Sequence, residues 1–246
     1  MKRVGWQVLL IFSLIFLSAL LYFINYLIFR DLRNIFFYLI HDIAFLPVEV
    51  LLVTLIINRL LTVREKRSRL EKLNMVIGAF FSEVGTRLLA CVSDFDPRLD
   101  SVRSDLVVAD SWSEKEFISV WKRLRRYDYQ VNIHAVPLDD LRRFLLDKRD
   151  FLLRLLENPN LLEHESFTEL LRAVFHLTEE LASRKGLTEL PESDYAHLAG
   201  DMRRAYTLLV HQWLDYMKHL KVHYPYLFSL AMRTNPFDQS ASPIVR

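Results

Sequence analysis

Residues 4–29, VGWQVLLIFSLIFLSALLYFINYLIF, contain no Asp, Glu, Lys, Arg or His. As a helix, that run reaches roughly 39 Å at about 1.5 Å per residue. A bilayer core is about 30 Å thick, so the segment can span it with some tilt. A cleaved secretory signal is the rival reading, because Lys2 and Arg3 give a positive start. A signal's apolar stretch is only about 7–15 residues and ends at a small-residue cleavage site. Ser18-Ala19-Leu20 does not make that site, so the run reads as an uncleaved anchor. The charge distribution agrees. All 30 acidic residues lie at or after Asp31, and only Lys2 and Arg3 precede Arg30 among the basic ones. A uniform soluble globule does not segregate charge in this way.

Residues 35–61, IFFYLIHDIAFLPVEVLLVTLIINRLL, read as a second span, interrupted by His41, Asp42, Pro47 and Glu49. The short link Arg30-Asp31-Leu32-Arg33-Asn34 predicts a helical hairpin over residues 1–61. Both ends then face one side. Lys2 and Arg3 mark one end, and Arg64-Glu65-Lys66-Arg67-Ser68-Arg69 marks the other. Cytoplasmic flanks are enriched in Lys and Arg, which predicts a cell-membrane protein with both termini cytoplasmic. Arg30 and Arg33 in the outer turn oppose this without reversing it. The basic run also suits an anionic-lipid clamp, although an ordinary stop-transfer flank accounts for it more simply. Pro47 removes one backbone donor and predicts a kink. An interfacial 35–46 with only 48–61 crossing is disfavoured, because so short a segment does not span.

With the turn centred near Leu32–Arg33, Asn25 lies level with His41 and Asp42, and Ser18 with Pro47 and Glu49. Ser18, Tyr22 and Asn25 share one helix face, as do Asp42 and Glu49. Lipid offers no hydrogen-bond partner, so these polar faces are expected to meet. An ionised carboxylate near the midplane costs about 2.5–3.5 kcal/mol on insertion scales. Glu49 therefore needs a proton or a partner. Asn25, His41, Asp42 and Glu49 form the intramembrane polar set. It serves either to hold helices together or, in an oligomer, to conduct ions or protons.

Residues 62–93 read as a juxtamembrane helix. Leu70, Leu73, Ile77, Phe80, Val84 and Cys91 follow steps near three and four, with Arg87 interrupting. That seam suits a coiled coil, a core helix or a surface-lying helix. Gly78, Ser82 and Gly85 offer positions for close helix approach. The single cysteine, Cys91, excludes a disulfide scaffold and a cysteine zinc site, and it reads as a small core residue. The stretch HDIAFLPVEVLLVTLIINRLLTVREKRSRLEKLNMVIGAFFSEVGTRLL, residues 41–89, resembles uncharacterised prokaryotic membrane proteins with two predicted spans and a helical cytoplasmic part. The resemblance implies no activity, and no functional residue is carried over from it.

Residues 94–234 predict a cytoplasmic antiparallel helical bundle, making the chain all-α. Residues 94–112 read as a loop with one short element at Leu106–Ala109. Ser113 and Glu116 have capping-box spacing before a helix to about Arg126. Tyr129–Pro137 is a connector without a strand to pair with. Helices come next over 138–157 and 161–184, the second closed by Gly186. Pro191 opens another in its first turn, reaching about His223 before Pro225. Residues 235–246 read as a disordered tail.

Two histidine-bearing patterns raise metal chemistry. His211, Asp215 and His219 are four apart and line one helical stripe, with His197, Asp201 and Arg204 earlier on it. A histidine and a carboxylate at that spacing can share a metal. The stripe is equally the polar side of an amphipathic helix whose apolar face holds Leu198, Met202, Leu209 and Trp213. His176 with Glu179 and Glu180 partly matches di-metal bundle spacing, but in reversed and incomplete order. His211, Asp215 and His219 are the candidate ligands, with no second helix identifiable, and no cofactor is assigned. A net charge of +2 and five glycines disfavour nucleic-acid binding and exclude a glycine-rich nucleotide loop.

The reading favoured is therefore a membrane-anchored helical scaffold or interaction protein. Its partners are the bilayer and either further copies of itself or another protein, met through helices. An oligomeric ion or proton conduit using Asp42 and Glu49 is the alternative. A membrane-tethered metalloenzyme stands third.

Overall fold

A computed structural model describes residues 2–159, 161 and 164–244, with the backbone alone at 2–7, 34 and 66–70. As the sequence predicts, the architecture is all-α, and no strand occurs among the described residues. The chain divides into two units, Met1–Lys66 and Arg67–Arg246.

In the first unit, α1 (Lys2–Phe29) is followed by α2 (Leu32–Phe80), which continues into the second unit. The link is shorter than expected, because α2 already begins at Leu32. Arg30 takes a left-handed conformation with φ 49°, and its N–H donates to the Tyr26 carbonyl at 2.9 Å. The Asp31 carboxylate then accepts from the Arg33 N–H at 3.0 Å, serving the exposed donors at the start of α2. Pro47 lies inside α2, and the helix continues through it. None of the described side chains of residues 8–65 is buried. Three helical stretches are long and apolar enough to cross a membrane: Val8–Phe29, Ile35–Glu65 and Glu71–Ser93. Only the third buries much of its surface within the protein. The side chains of Lys2, Arg3 and residues 66–70, including Leu70, lie outside the described set.

In the second unit, the seam behaves as a core helix face. Leu73, Ile77, Phe80 and Val84 are buried, as the spacing predicts. One turn of π-helix, Phe81–Gly85, then precedes α3 (Thr86–Ser93). A π turn inserts a residue and rotates the helix beyond it. The buried face therefore passes to Leu88 and Val92, leaving Arg87 exposed and Cys91 only half-buried. This explains the interruption at Arg87. Gly85 closes the widened turn, where an added Cβ would lie 2.6 Å from Phe81 Cδ1 and 2.8 Å from Phe80 Cε1. Both rings are pinned. Phe80 meets Phe167 edge-on at 5.4 Å, and Phe81 stacks on Tyr216 at 5.1 Å. At Gly78, a Cβ would stand 3.2 Å from the Tyr216 hydroxyl.

The expected elements return with shifted edges. A 3-10 turn, Leu99–Ser101, and α4 (Arg103–Leu106) replace the element expected at Leu106–Ala109. Helix α5 (Glu114–Leu124) starts at the capping box, where Ser113 and Glu116 exchange side-chain and backbone hydrogen bonds. Residues 138–157 form two helices, α6 (Leu138–Asp147) and α7 (Arg149–Leu156), because Lys148 (φ −96°, ψ 1°) interrupts the α geometry. Helix α8 (Glu165–Ser183) is not closed by Gly186. Arg184 leaves it in extended conformation, and no glycine has positive φ. Pro191 caps α9 (Glu192–His223) from just outside its first turn, and Pro225 opens α10 (Pro225–Arg233).

The tail is not disordered from its start. Phe237 is buried against Trp213 at 5.2 Å, and Asn235 Nδ2 donates to the Leu106 carbonyl at 2.9 Å. An aromatic side chain with a buried slot to fill overrides the proline-punctuated, polar composition around it. Residues 245–246 lie outside the described set.

The pinned rings make Gly85 sensitive. Gly85→Ala is expected to lower the unfolding free energy by about 1–3 kcal/mol. Gly200, inside α9 with nothing within 4 Å of an added Cβ, is the contrast. Gly200→Ala should stabilise by about 0.5–1 kcal/mol through reduced chain entropy. Denaturant titration of the detergent-solubilised chain reads both, and equal shifts would contradict this packing.

Candidate functional site

Helices α8 and α9 form the centre of the second unit. Phe167, Leu170, Val174, Leu177 and Leu181 on α8 are buried, as are Leu198, Met202, Tyr206, Leu209 and Trp213 on α9. With those faces committed to the core, the polar stripes fall along the edges. On α8, Arg172, His176 and Glu180 recur at four-residue spacing, with Arg184 just beyond. On α9, His197 and Asp201 do the same. Residues 184–191 reverse the chain, so the stripes face each other in antiparallel register. His176 meets Asp201 and Glu180 meets His197, which puts a histidine opposite a carboxylate twice.

These four side chains form the one set of three or more His, Cys, Asp or Glu residues with donor atoms within 4.8 Å of one another among the described residues. His176 Nε2 lies 3.4 Å from Asp201 Oδ2 and 3.7 Å from Glu180 Oε1. His197 Nε2 lies 3.3 Å from Asp201 Oδ2 and 3.4 Å from Glu180 Oε2. The Asp201 side chain is only 8% exposed, while the histidines are 47% and 52% exposed. Asp201 Oδ2 is buried and has no hydrogen-bond partner. Behind the cluster, Arg184 donates to Glu180 Oε2 at 2.9 Å and grips Asp194 through two bonds of 2.8 and 2.6 Å. The bond from Arg184, more than any other cause, holds the Glu180 carboxyl below its ordinary range.

The cluster opens on a cavity of about 1120 Å³ that His176, His197 and Asp201 help to line. Arg125, Arg172, Arg203 and Arg204 also line it, against two further acids, Asp128 and Glu169. None of these four guanidiniums is ion-paired to a carboxylate among the described residues. The site thus pairs a compact nitrogen-and-oxygen donor set with a positively charged surround, which suits a divalent cation beside anionic groups.

The predicted metal ligands do not converge. His211 lies on this cavity, between Trp121 (5.8 Å) and Tyr129 (6.1 Å). Asp215 and His219 line a different cavity of about 470 Å³ with Trp112 and His223. Their common spacing takes them along one helix, and separate neighbours then divide them. His219 Nδ1 instead meets Asn74 Nδ2 at 3.2 Å. Of the earlier part of the stripe, His197 and Asp201 do enter the cluster. His176 and Glu180 come from the spacing that only partly matches a di-metal motif, while Glu179 pairs with Arg149 at 2.7 Å.

The polar residues expected within the two apolar spans do not meet either. Asn25, His41, Asp42 and Glu49 are all exposed, and none has a hydrogen bond or ion pair among the described residues. Two helices that bury nothing against each other do not bring their polar faces into contact.

Fold and site together define an all-helical protein with a small N-terminal helical unit and a larger C-terminal one built around α8 and α9. The chain belongs to the MJ1433 family. It matches the family's N-terminal helical domain over residues 2–61 and its C-terminal helical domain over 69–233. Uncharacterized protein MJ1433 of Methanocaldococcus jannaschii is 48% identical over 236 residues, covering 96% of this chain and 95% of that protein. No solved structure matches the chain.

The placement of His211 predicts a pH dependence. Burial above all, and then Arg125, lower its pKa from the ordinary 6.5. The unfolded chain then takes up this proton at higher pH than the folded one. The stabilisation is complete well above pH 6.5 and is lost as pH falls through that value toward the folded pKa. Thermal unfolding of the wild type should fall in midpoint between pH 7.5 and 5.5, and His211→Gln should show a smaller fall. An unchanged fall would contradict a half-buried imidazole whose protonation is disfavoured on folding.

Proposed function

We propose that the chain is an integral membrane protein whose N-terminal hairpin anchors the C-terminal helical domain at the cytoplasmic face, where it acts as a scaffold through protein contacts. One observation carries this reading. Residues 8–65 form two long apolar helices with no buried residue among the described side chains. In water, so large a continuous apolar surface is an aggregation hazard, and lipid is the solvent that suits it. The third apolar stretch, Glu71–Ser93, is different, because its apolar face is packed into the second unit. That leaves two spans, and an even number returns the chain to the side where it started. Basic residues at Lys2, Arg3 and 64–69 support the cytoplasm as that side.

The unpartnered Asn25, Asp42 and Glu49 favour association between copies, since polar groups in lipid find partners across helices. Interhelical polar contacts of this kind contribute about 1–2 kcal/mol at most. Helix association therefore explains these residues without invoking conduction.

Reporter fusions test the topology. Alkaline phosphatase fused after residue 240 should be inactive and should become active when inserted between Arg30 and Arg33. Activity at the C-terminal fusion would overturn the proposal. Glu49→Gln is expected to leave insertion intact and to weaken association in detergent no more than about tenfold. Ion flux through purified protein in liposomes, abolished by that same change, would instead establish a conduit.

A further inference from the structure

We propose that His176, Glu180, His197 and Asp201 bind one first-row divalent cation of the Zn²⁺ class, which staples α8 to α9 beside the arginine-lined cavity. This inference does not depend on the membrane reading. It stands first on the separations. Nitrogen–oxygen hydrogen bonds fall at about 2.7–3.2 Å, and all four histidine–carboxylate approaches are longer, at 3.3–3.7 Å. A tetrahedral shell with metal–ligand bonds of roughly 2.0–2.1 Å has edges of about 3.3–3.4 Å. Three of the four approaches have that length. The side chains stand apart as ligands around a common centre do, and not as hydrogen-bonding partners do.

The second observation is Asp201. A carboxylate oxygen that is buried and accepts no hydrogen bond is costly. Oδ2 is the atom left without a partner, and it is also the atom aimed between the two imidazoles. A cation there would satisfy it. The donor chemistry selects the ion. Two imidazoles and two carboxylates suit Zn²⁺ or a near neighbour, whereas Mg²⁺ and Ca²⁺ prefer shells of oxygen alone. Arg184 supplies the outer layer, since its bond to Glu180 and its double bond to Asp194 fix where the Glu180 carboxylate points. Four protein ligands make a closed shell, which is the form of a structural site.

The test uses the full chain in detergent, treated with chelator and then titrated calorimetrically with Zn²⁺ alone, with Mg²⁺ as the comparison ion. One Zn²⁺ should bind per chain, Mg²⁺ should not compete, and the thermal midpoint should rise on binding. The double variant His176→Gln, His197→Gln replaces two half-exposed side chains and should fold, as circular dichroism would verify. It should lose more than about 100-fold in affinity, and Arg184→Gln about 10- to 100-fold. Asp201→Asn should abolish the rise in midpoint. Failure of the folded wild type to take up Zn²⁺ would overturn the proposal. So would uptake that the double variant retains, since Cys91 or the His219–His223 pair would then be the binder.

Discussion

The structure is governed by apolar surface that has no protein to lie against. From Val8 to Glu65, side chains such as Phe12, Phe16, Ile28, Phe37 and Leu60 stand exposed on two long helices. Burial of such surface is the dominant favourable term in folding, and this surface is the basis of the membrane reading proposed above. The second unit shows the opposite economy. Its helices bury their apolar faces in one continuous cluster running from Leu73 to Phe237. The second unit removes its hydrocarbon from water by packing; in the function proposed here, lipid does so for the first.

Within the second unit, a single extra residue sets the register. The π turn at Phe81–Gly85 lets Phe80 and Phe81 both reach the core, where they contact α8 and α9 through Phe167 and Tyr216. A regular helix through this stretch would have carried Arg87 onto the buried face. The interrupted seam in the sequence is the visible trace of that turn. The interruption was legible, but its cause was not, because helix periodicity alone does not distinguish a flaw in a seam from a rotation of it.

The same boundary between legible and hidden runs through the candidate site. Helical class, the Ser113–Glu116 cap and the end of α9 before Pro225 arise from local chemistry and are present in the fold. Breaks and tails depend on tertiary contacts, so the interruption at Lys148 and the seating of Phe237 were not readable. For the site, the spacing within each helix was visible, His176 to Glu180 and His197 to Asp201. What joins them is register between helices. Facing pairs in an antiparallel hairpin have residue numbers of constant sum, and 176 with 201 and 180 with 197 obey this. Applied to α8 and α9, that rule brings the four residues together. The longer stripe through His211 and His219 was more conspicuous in sequence, but its members face different neighbours.

The most direct measurement is hydrogen exchange of the chain reconstituted in lipid nanodiscs, resolved along the first unit. Lipid-spanning helices predict strong protection across residues 8–29 and 35–61, broken by fast exchange at the Arg30–Asp31 link. Fast exchange throughout both stretches in the presence of lipid, while α8 and α9 stay protected, would contradict the account.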